Sequence, residues 1–101
     1  MELNTIKKHL RITFDFDDEL LLEYIEWAED EIKNSVSNSD YRNETYFDNN
    51  PTYDRAVILL VTHFYENRKA ITDKPQYNMI YGIKSAIFKL QTRYKGDLNE
   101  L

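Results

Sequence analysis

Residues 17–36 of the chain read DDELLLEYIEWAEDEIKNSV. Apolar residues recur here at the spacing of one helical face: Leu21, Ile25, Ala28, Ile32 and Val36. Carboxylates occupy the opposite face: Glu19, Glu23, Glu26 and Asp30. An apolar stripe opposed by a charged one is typical of a helix that packs on a core and keeps its other side in water. The sequence therefore predicts an amphipathic helix over this stretch.

The start of this helix has the residues that favour a helix N-terminus. Asp17 is a good N-cap, and Asp18 and Glu19 lie where the positive end of the helix dipole favours carboxylates. Phe16 and Leu21 occupy the two positions of a hydrophobic staple. We therefore expect the helix to begin at Asp17, with Phe16 packed on Leu21.

Apolar spacing also predicts a short helix before this one and a longer helix after it. The short helix is marked by Leu3, Ile6 and Leu10, at i, i+3 and i+7. The longer helix runs from about Tyr53 to Ile71 and is apolar or small on nearly every side. Such a helix belongs in the middle of a bundle or against a neighbouring subunit.

A fourth helix is predicted to follow a turn at Tyr81-Gly82, starting at Ile83 and closed by Gly96 and Asp97. The chain of 101 residues has only two glycines and two prolines, against an average of about 12% for the two together. Few turn-formers imply few turns, hence helices rather than many strands. The prediction is one all-α domain over residues 1–101, a small bundle of about four helices.

A long polar loop, residues 37–53, is predicted between helices two and three. Three aromatic residues lie in it: Tyr41, Tyr46 and Phe47. Two interpretations remain open. The rings are either exposed for contact with a partner, or they fix the loop to the body of the domain.

Composition excludes several kinds of chemistry. The absence of cysteine rules out disulfides, thiolate nucleophiles and cysteine-ligated zinc. A net charge of -5 with no continuous basic tract argues against general DNA binding. His9 and His63 stand on separate predicted helices without metal-binding spacing, and no glycine-rich phosphate loop is present. The sequence therefore predicts no catalytic residue, metal or cofactor, and the acidic row is interpreted as a solvated helix face.

Charge is segregated along the chain. Residues 12–32 contain nine acidic residues and no basic one, whereas residues 74–96 contain five basic residues and no acidic one. Either helices two and four attract each other within one molecule, or the acidic face of one copy meets the basic segment of the next. A head-to-tail contact of the second kind generates a ring if the rotation closes.

Two further features suggest contact with a partner. Leu20, Tyr24 and Trp27 form a second apolar strip on helix two, which either faces a partner or widens the core-facing surface. Arg68 falls on the apolar stripe of helix three. We expect it to extend its charge to solvent or to pair with a carboxylate from helix two or from another subunit.

Four stretches are similar to a known family: IKKHLRI at 6–12, DDELL at 17–21, AVILLVTHFYENR at 56–68 and YGI at 81–83. Over nearly its full length the chain resembles the head–tail connector (adaptor, or head-completion) proteins of tailed bacteriophages. The stretch ending in Tyr-Glu-Asn-Arg is the most specific part of the resemblance. In two places the chain departs from the family pattern: Ile80 stands where proline is common, and the 37–53 loop is rich in asparagine.

The resemblance implies a non-enzymatic virion protein of the head–tail junction, present in the host cytoplasm before assembly. Such proteins form a ring on the portal, bind stopper or tail proteins, and extend the channel through which DNA passes without sequence-specific binding. The candidate residues for subunit or partner contact are Leu20, Tyr24, Trp27, Tyr41, Tyr46, Phe47, Arg68, Lys84, Lys89 and Arg93. The acidic row, Glu19, Glu23, Glu26 and Asp30, is a candidate channel lining or subunit contact.

Two alternatives belong to other functional classes. An acidic decoy that mimics DNA and occupies a basic host protein fits the nine-acid stretch, although a basic C-terminal segment is odd in a mimic. A small metal-dependent enzyme would need a tight divalent-cation site, which the acidic row does not provide.

Overall fold

A computed structural model describes residues 1–67 and 77–94 of the chain. In these ranges the chain forms four α-helices and no strand, so the prediction of an all-α fold is confirmed. The helices are α1 (Leu3–Leu10), α2 (Asp18–Val36), α3 (Pro51–Glu66) and α4 (Tyr77–Arg93). A short 3-10 helix, Glu44–Phe47, lies in the segment between α2 and α3. No helix in the described ranges is long and apolar enough to cross a membrane.

The core forms around α3, which packs against α1, α2 and α4. Four of the five stripe residues of α2 are buried in it, and Val36 packs at its edge. From α3 the core takes mainly small and branched side chains, such as Ala56, Val57 and Val61, which allow the neighbouring helices to approach closely. The stripe predicted for α2 is therefore confirmed as the face that packs on the core.

The start of α2 agrees with the prediction in part. Asp17 stands at the N-cap position, as predicted, but its side chain makes no capping hydrogen bond. Its Oδ2 accepts a 2.5 Å hydrogen bond from the Tyr65 hydroxyl instead. Phe16 is 92% exposed, so the predicted staple on Leu21 is wrong. The cause is a turn before the helix, closed by the hydrogen bond from the Asp18 N–H to the Asp15 carbonyl. This turn holds Phe16 at its tip, away from the helix.

Helix α3 begins two residues earlier than predicted. Asn50 is its N-cap, with Oδ1 accepting a 3.2 Å hydrogen bond from the Tyr53 N–H. Pro51 occupies the first turn, where its fixed φ suits a helix and its missing N–H is not needed. The helix ends at Glu66, with Asn67 as its C-cap, although Asn67 was predicted to be helical. Residues 68–71 of the predicted helix, which include Arg68, lie outside the described residues.

The turn predicted at Tyr81-Gly82 is wrong, because α4 runs through both residues without a break. Gly82 is a packing residue: a Cβ added there would lie 3.2 Å from Leu59 Cδ1 of α3. A glycine inside a helix lowers its stability but removes the side chain that would separate two neighbours. Gly96 and Asp97, predicted to close this helix, lie outside the described residues.

Candidate interaction surfaces

The acidic face of α2 is exposed along its whole length. Glu19, Glu23, Glu26 and Asp30 all lie on the side away from the buried stripe. No side chain in residues 1–67 or 82–94 forms an ion pair with any of these four carboxylates. We call these four residues the acidic row.

Other carboxylates of the acidic stretch have partners within the chain. Lys7 Nζ donates to Asp15 Oδ1 at 2.7 Å and to Asp18 Oδ1 at 2.8 Å. These hydrogen bonds raise the pKa of Lys7 and, on the other side, lower the pKa of Asp15. The N-terminal ammonium group is 2.7 Å from Glu29 Oε1. Asp15, Asp18 and Glu29 thus form ion pairs within the chain, whereas the acidic row on the outer face of α2 is exposed to solvent.

The basic residues of α4 are exposed as well. Lys84, Lys89 and Arg93 form no ion pair with any side chain in the described part of the chain. Where the structure describes both helices, α2 and α4 are therefore not joined by ion pairs, although they are in contact.

A cleft of about 240 Å³ opens between α3 and α4. Arg55 from α3 and Lys89 from α4 bring two cations to it, and Thr52 and Ser85 add hydroxyl groups. We call these four residues the cationic cleft. Arg55 was not predicted from the sequence, because Ser85 and Lys89, its partners in the cleft, lie 30 or more residues further along the chain. The signal that could have found it is Gly82, which lines the same cleft and permits the close approach of the two helices.

An aromatic patch joins α2 to α3. The ring of Tyr24 lies 5.7 Å from that of Trp27 and 5.6 Å from that of Phe64. Tyr24 is buried, whereas Trp27 is 50% exposed. Leu20 is partly buried against the core. The second apolar strip is thus divided: Tyr24 and Leu20 widen the core-facing surface, and Trp27 projects from it on a rigid aromatic base.

The aromatic residues of the 37–50 segment also divide. Phe47 is buried in the core, its ring 5.0 Å from that of Tyr53, so it is not available to a partner. The Tyr46 hydroxyl donates a 2.8 Å hydrogen bond to the Leu90 carbonyl of α4. These two rings fix the segment to the body of the domain, the second of the two interpretations. Tyr41 alone of the three is exposed and remains a candidate contact.

On α2 and α4, two large apolar side chains that were not among the predicted contact residues are exposed. Phe88 on α4 is 65% exposed and lies one turn after Lys84. Leu22 on α2 is half exposed and lies one turn before Glu26. Both fall off the apolar stripe of their helix, which is the signal that could have identified them. Each charged surface therefore borders an exposed apolar residue.

The two histidines stand apart from each other. No three His, Asp or Glu side chains in the described ranges form a group that could hold a metal ion. His63 is engaged by Asn67, whose Nδ2 lies 3.3 Å from its Nδ1, and His9 lines a groove together with Asp54.

Comparison with known protein families assigns the chain to one of them. Residues 1–91 match the family of phage gp6-like head-tail connector proteins, a range that covers α1, α2, α3 and nearly all of α4. The chain belongs to this family. Comparisons with curated proteins and with solved structures found no match. The connector is thus a structural phage protein that acts in joining head to tail in the virion.

Proposed function

We propose that the connector is a single-domain subunit of a ring that sits on the portal, binds stopper or tail proteins on its other side, and extends the DNA channel. The observation that carries the proposal is the pair of exposed, oppositely charged faces on α2 and α4. Two different surfaces that attract each other make a head-to-tail contact, which closes into a ring when the rotation between copies allows it.

Trp27 is proposed as the main contact to the portal or to the tail-side protein. Half of its surface is exposed, and Tyr24 and Phe64 hold the indole ring in place. A large aromatic side chain that is already fixed loses little conformational freedom on binding, and tryptophan is enriched at the residues that dominate binding energy. Tyr41 is a second, smaller candidate on the exposed segment before α3.

Contact with DNA is proposed to be non-specific and weak. The subunit has a net charge of -5 and no continuous basic tract that would neutralise phosphates. A ring of such subunits repels DNA electrostatically, which would allow the genome to pass without sticking.

The test is reconstitution with the purified portal, followed by light scattering and electron microscopy. We expect a ring of connector subunits on the portal, and a loss of at least tenfold in affinity for Trp27→Ala if Trp27 is the portal contact. Phe14→Ala is the matched control, because Phe14 is an aromatic residue with the same 50% exposure outside the aromatic patch. Thermal melting of both variants shows whether the domain stays folded.

A connector that stays monomeric at high concentration, with and without portal, would contradict the ring. Capture of a basic nucleic-acid enzyme from host lysate, together with no binding to portal, would favour the acidic decoy instead. Binding to portal with equal affinity for wild type and Trp27→Ala would keep the ring and assign the portal contact to another surface.

A further inference from the structure

We infer that the acidic row of one connector subunit binds the cationic cleft of the next subunit, so that the contact between copies is α2 against the α3–α4 cleft. This inference rests on the proposed self-association and assigns it to particular residues. It also assigns the acidic row to the subunit contact rather than to the channel lining.

The cleft has the groups that a carboxylate needs. Arg55 and Lys89 stand on its two walls, and neither forms an ion pair with another side chain that the structure describes. A guanidinium group binds a carboxylate through two parallel hydrogen bonds, and the hydroxyls of Thr52 and Ser85 can donate further ones. The cleft, with a volume of about 240 Å³, has room for the end of a glutamate side chain.

The spacing of the two surfaces is compatible. The acidic row occupies positions i, i+4, i+7 and i+11 of α2, so successive carboxylates are about one turn, or ~5.4 Å, apart along the helix. Lys89 and Arg93 are also one turn apart on α4. Two successive carboxylates of the row can therefore meet Lys89, which lines the cleft, and Arg93, one turn further along α4.

A second copy is the occupant because the row and the cleft lie on different sides of one subunit. The row is on the face of α2 opposite the stripe that packs on the core, whereas the cleft opens between α3 and α4. Leu22 beside the row and Phe88 one turn from Ser85 supply exposed apolar surface at the margins of the contact. Complementary charges on the two surfaces steer the encounter of the copies and fix their register.

The experiment is charge reversal, read out by sedimentation of a concentration series and by ring formation on the portal. We expect Glu23→Lys with Glu26→Lys, and separately Arg55→Glu with Lys89→Glu, each to weaken association between copies at least tenfold. The four changes combined in one chain should restore it, because both signs are then exchanged. The control, Lys8→Glu with Arg11→Glu, changes two exposed cations of the α1 end and should assemble like wild type.

Three outcomes decide the matter. Rescue by the fourfold variant supports the direct contact. Unchanged assembly of both double variants, or loss without rescue, overturns this interface while ring formation by the wild type on the portal keeps the proposed function. A wild-type chain that associates neither with itself nor with the portal overturns both.

Discussion

The hydroxyl of Tyr65 in the last turn of α3 donates a 2.5 Å hydrogen bond to Oδ2 of Asp17, the residue before α2. The two residues are 48 positions apart in the chain. Their bond joins the end of the central helix to the start of its neighbour, and a charged acceptor makes such a bond stronger than one between neutral groups. Tyr65 belongs to the stretch that is the most specific part of the family resemblance, and its bond to Asp17 gives it a structural role in the subunit.

Removal of this hydroxyl is expected to destabilise the subunit. We predict that Tyr65→Phe lowers the free energy of unfolding by about 1–2 kcal/mol, because a hydrogen bond to a charged group contributes roughly 1.5–3 kcal/mol and this one is only partly buried. Urea denaturation followed by circular dichroism measures the loss. Tyr41→Phe is the control, since its ring is exposed, and an equal effect of both changes would contradict the role assigned to Tyr65.

The same pair shows how far the sequence predicts the fold. The periodicity of residues 17–36 correctly predicts α2 and its buried face, because the spacing of apolar residues within a single helix is enough to identify the face that packs on the core. The role of Asp17 is decided elsewhere: its carboxylate can cap the helix or accept from a distant tyrosine, and only the tertiary structure brings Tyr65 close. The predicted staple between Phe16 and Leu21 is wrong for a similar reason. A staple requires the residue before the N-cap to fold back on the first turn of the helix, whereas the turn closed by Asp15 and Asp18 points Phe16 into solvent.

Tyr53 offers a contrasting hydroxyl. It is buried, and its Oη has no hydrogen-bond partner in the part of the chain that the structure describes. Burial, together with the carboxylate of Glu29, raises the pKa of this hydroxyl well above its ordinary value. We predict that Tyr53→Phe leaves stability unchanged or raises it by up to about 1 kcal/mol, because an unsatisfied buried polar group costs energy that phenylalanine avoids.

Tyr46→Phe is the matched control for Tyr53→Phe. It removes the hydroxyl that donates to the Leu90 carbonyl, and we expect a loss of about 1 kcal/mol, the usual net contribution of a hydrogen bond. Thermal and urea unfolding of both variants give the comparison. A greater loss for Tyr53→Phe than for Tyr46→Phe would mean that the Tyr53 hydroxyl is satisfied.

The contact of Gly82 with Leu59 leads to a prediction with two opposing terms. Alanine in a helix interior is favoured over glycine by about 0.8–1.0 kcal/mol, but its Cβ would lie 3.2 Å from Leu59 Cδ1. Leu59 is half-buried and its methyl group can move by a few tenths of an ångström. We predict that Gly82→Ala raises the free energy of unfolding by about 0.5 kcal/mol, which is the gain in helix propensity less the energy needed to move the Leu59 methyl group.

Gly82→Val tests the same contact with a larger side chain. Its branched Cβ adds volume that a small movement of Leu59 does not accommodate, and overpacking of this kind costs about 1–3 kcal/mol. We therefore expect Gly82→Val to be less stable than wild type, measured by the same urea titration. Equal destabilisation by alanine and valine would show that Leu59 is fixed.

The candidate surfaces could be predicted only in part. The segregation of charge is visible along the chain, and so is the extra apolar strip with Trp27. The cationic cleft is not, because Arg55 and Lys89 meet only when α4 continues through Gly82 and packs closely on α3. The loop aromatics show the same limit. Hydrophobicity alone does not distinguish Phe47, buried in the core, from Tyr41, exposed a few residues earlier.

Lys7 makes the stability of the subunit depend on acid pH. Its hydrogen bonds to Asp15 and Asp18 tie α1 to the start of α2, and the first of these lowers the pKa of Asp15 below its ordinary 3.8. A carboxyl group with a lowered folded pKa stabilises the fold fully above its unfolded pKa, and this contribution disappears as pH falls through the folded value. We therefore expect stability to be level between about pH 7 and 5 and to fall below about pH 4.

Urea denaturation of the wild type and of Lys7→Met at pH 7, 5, 4 and 3 tests this dependence. Lys7→Met should be less stable at neutral pH and should lose less stability on acidification, because the Asp15 carboxylate no longer has the cation that lowers its pKa. Part of the acid dependence remains through Glu44, where burial raises the pKa but hydrogen bonds from Arg42 and Lys33 outweigh it and leave it lowered. Lys8→Met, at an exposed neighbouring position, should keep the wild-type profile. Parallel profiles for Lys7→Met and wild type would mean that the Lys7 pairs contribute nothing to acid unfolding.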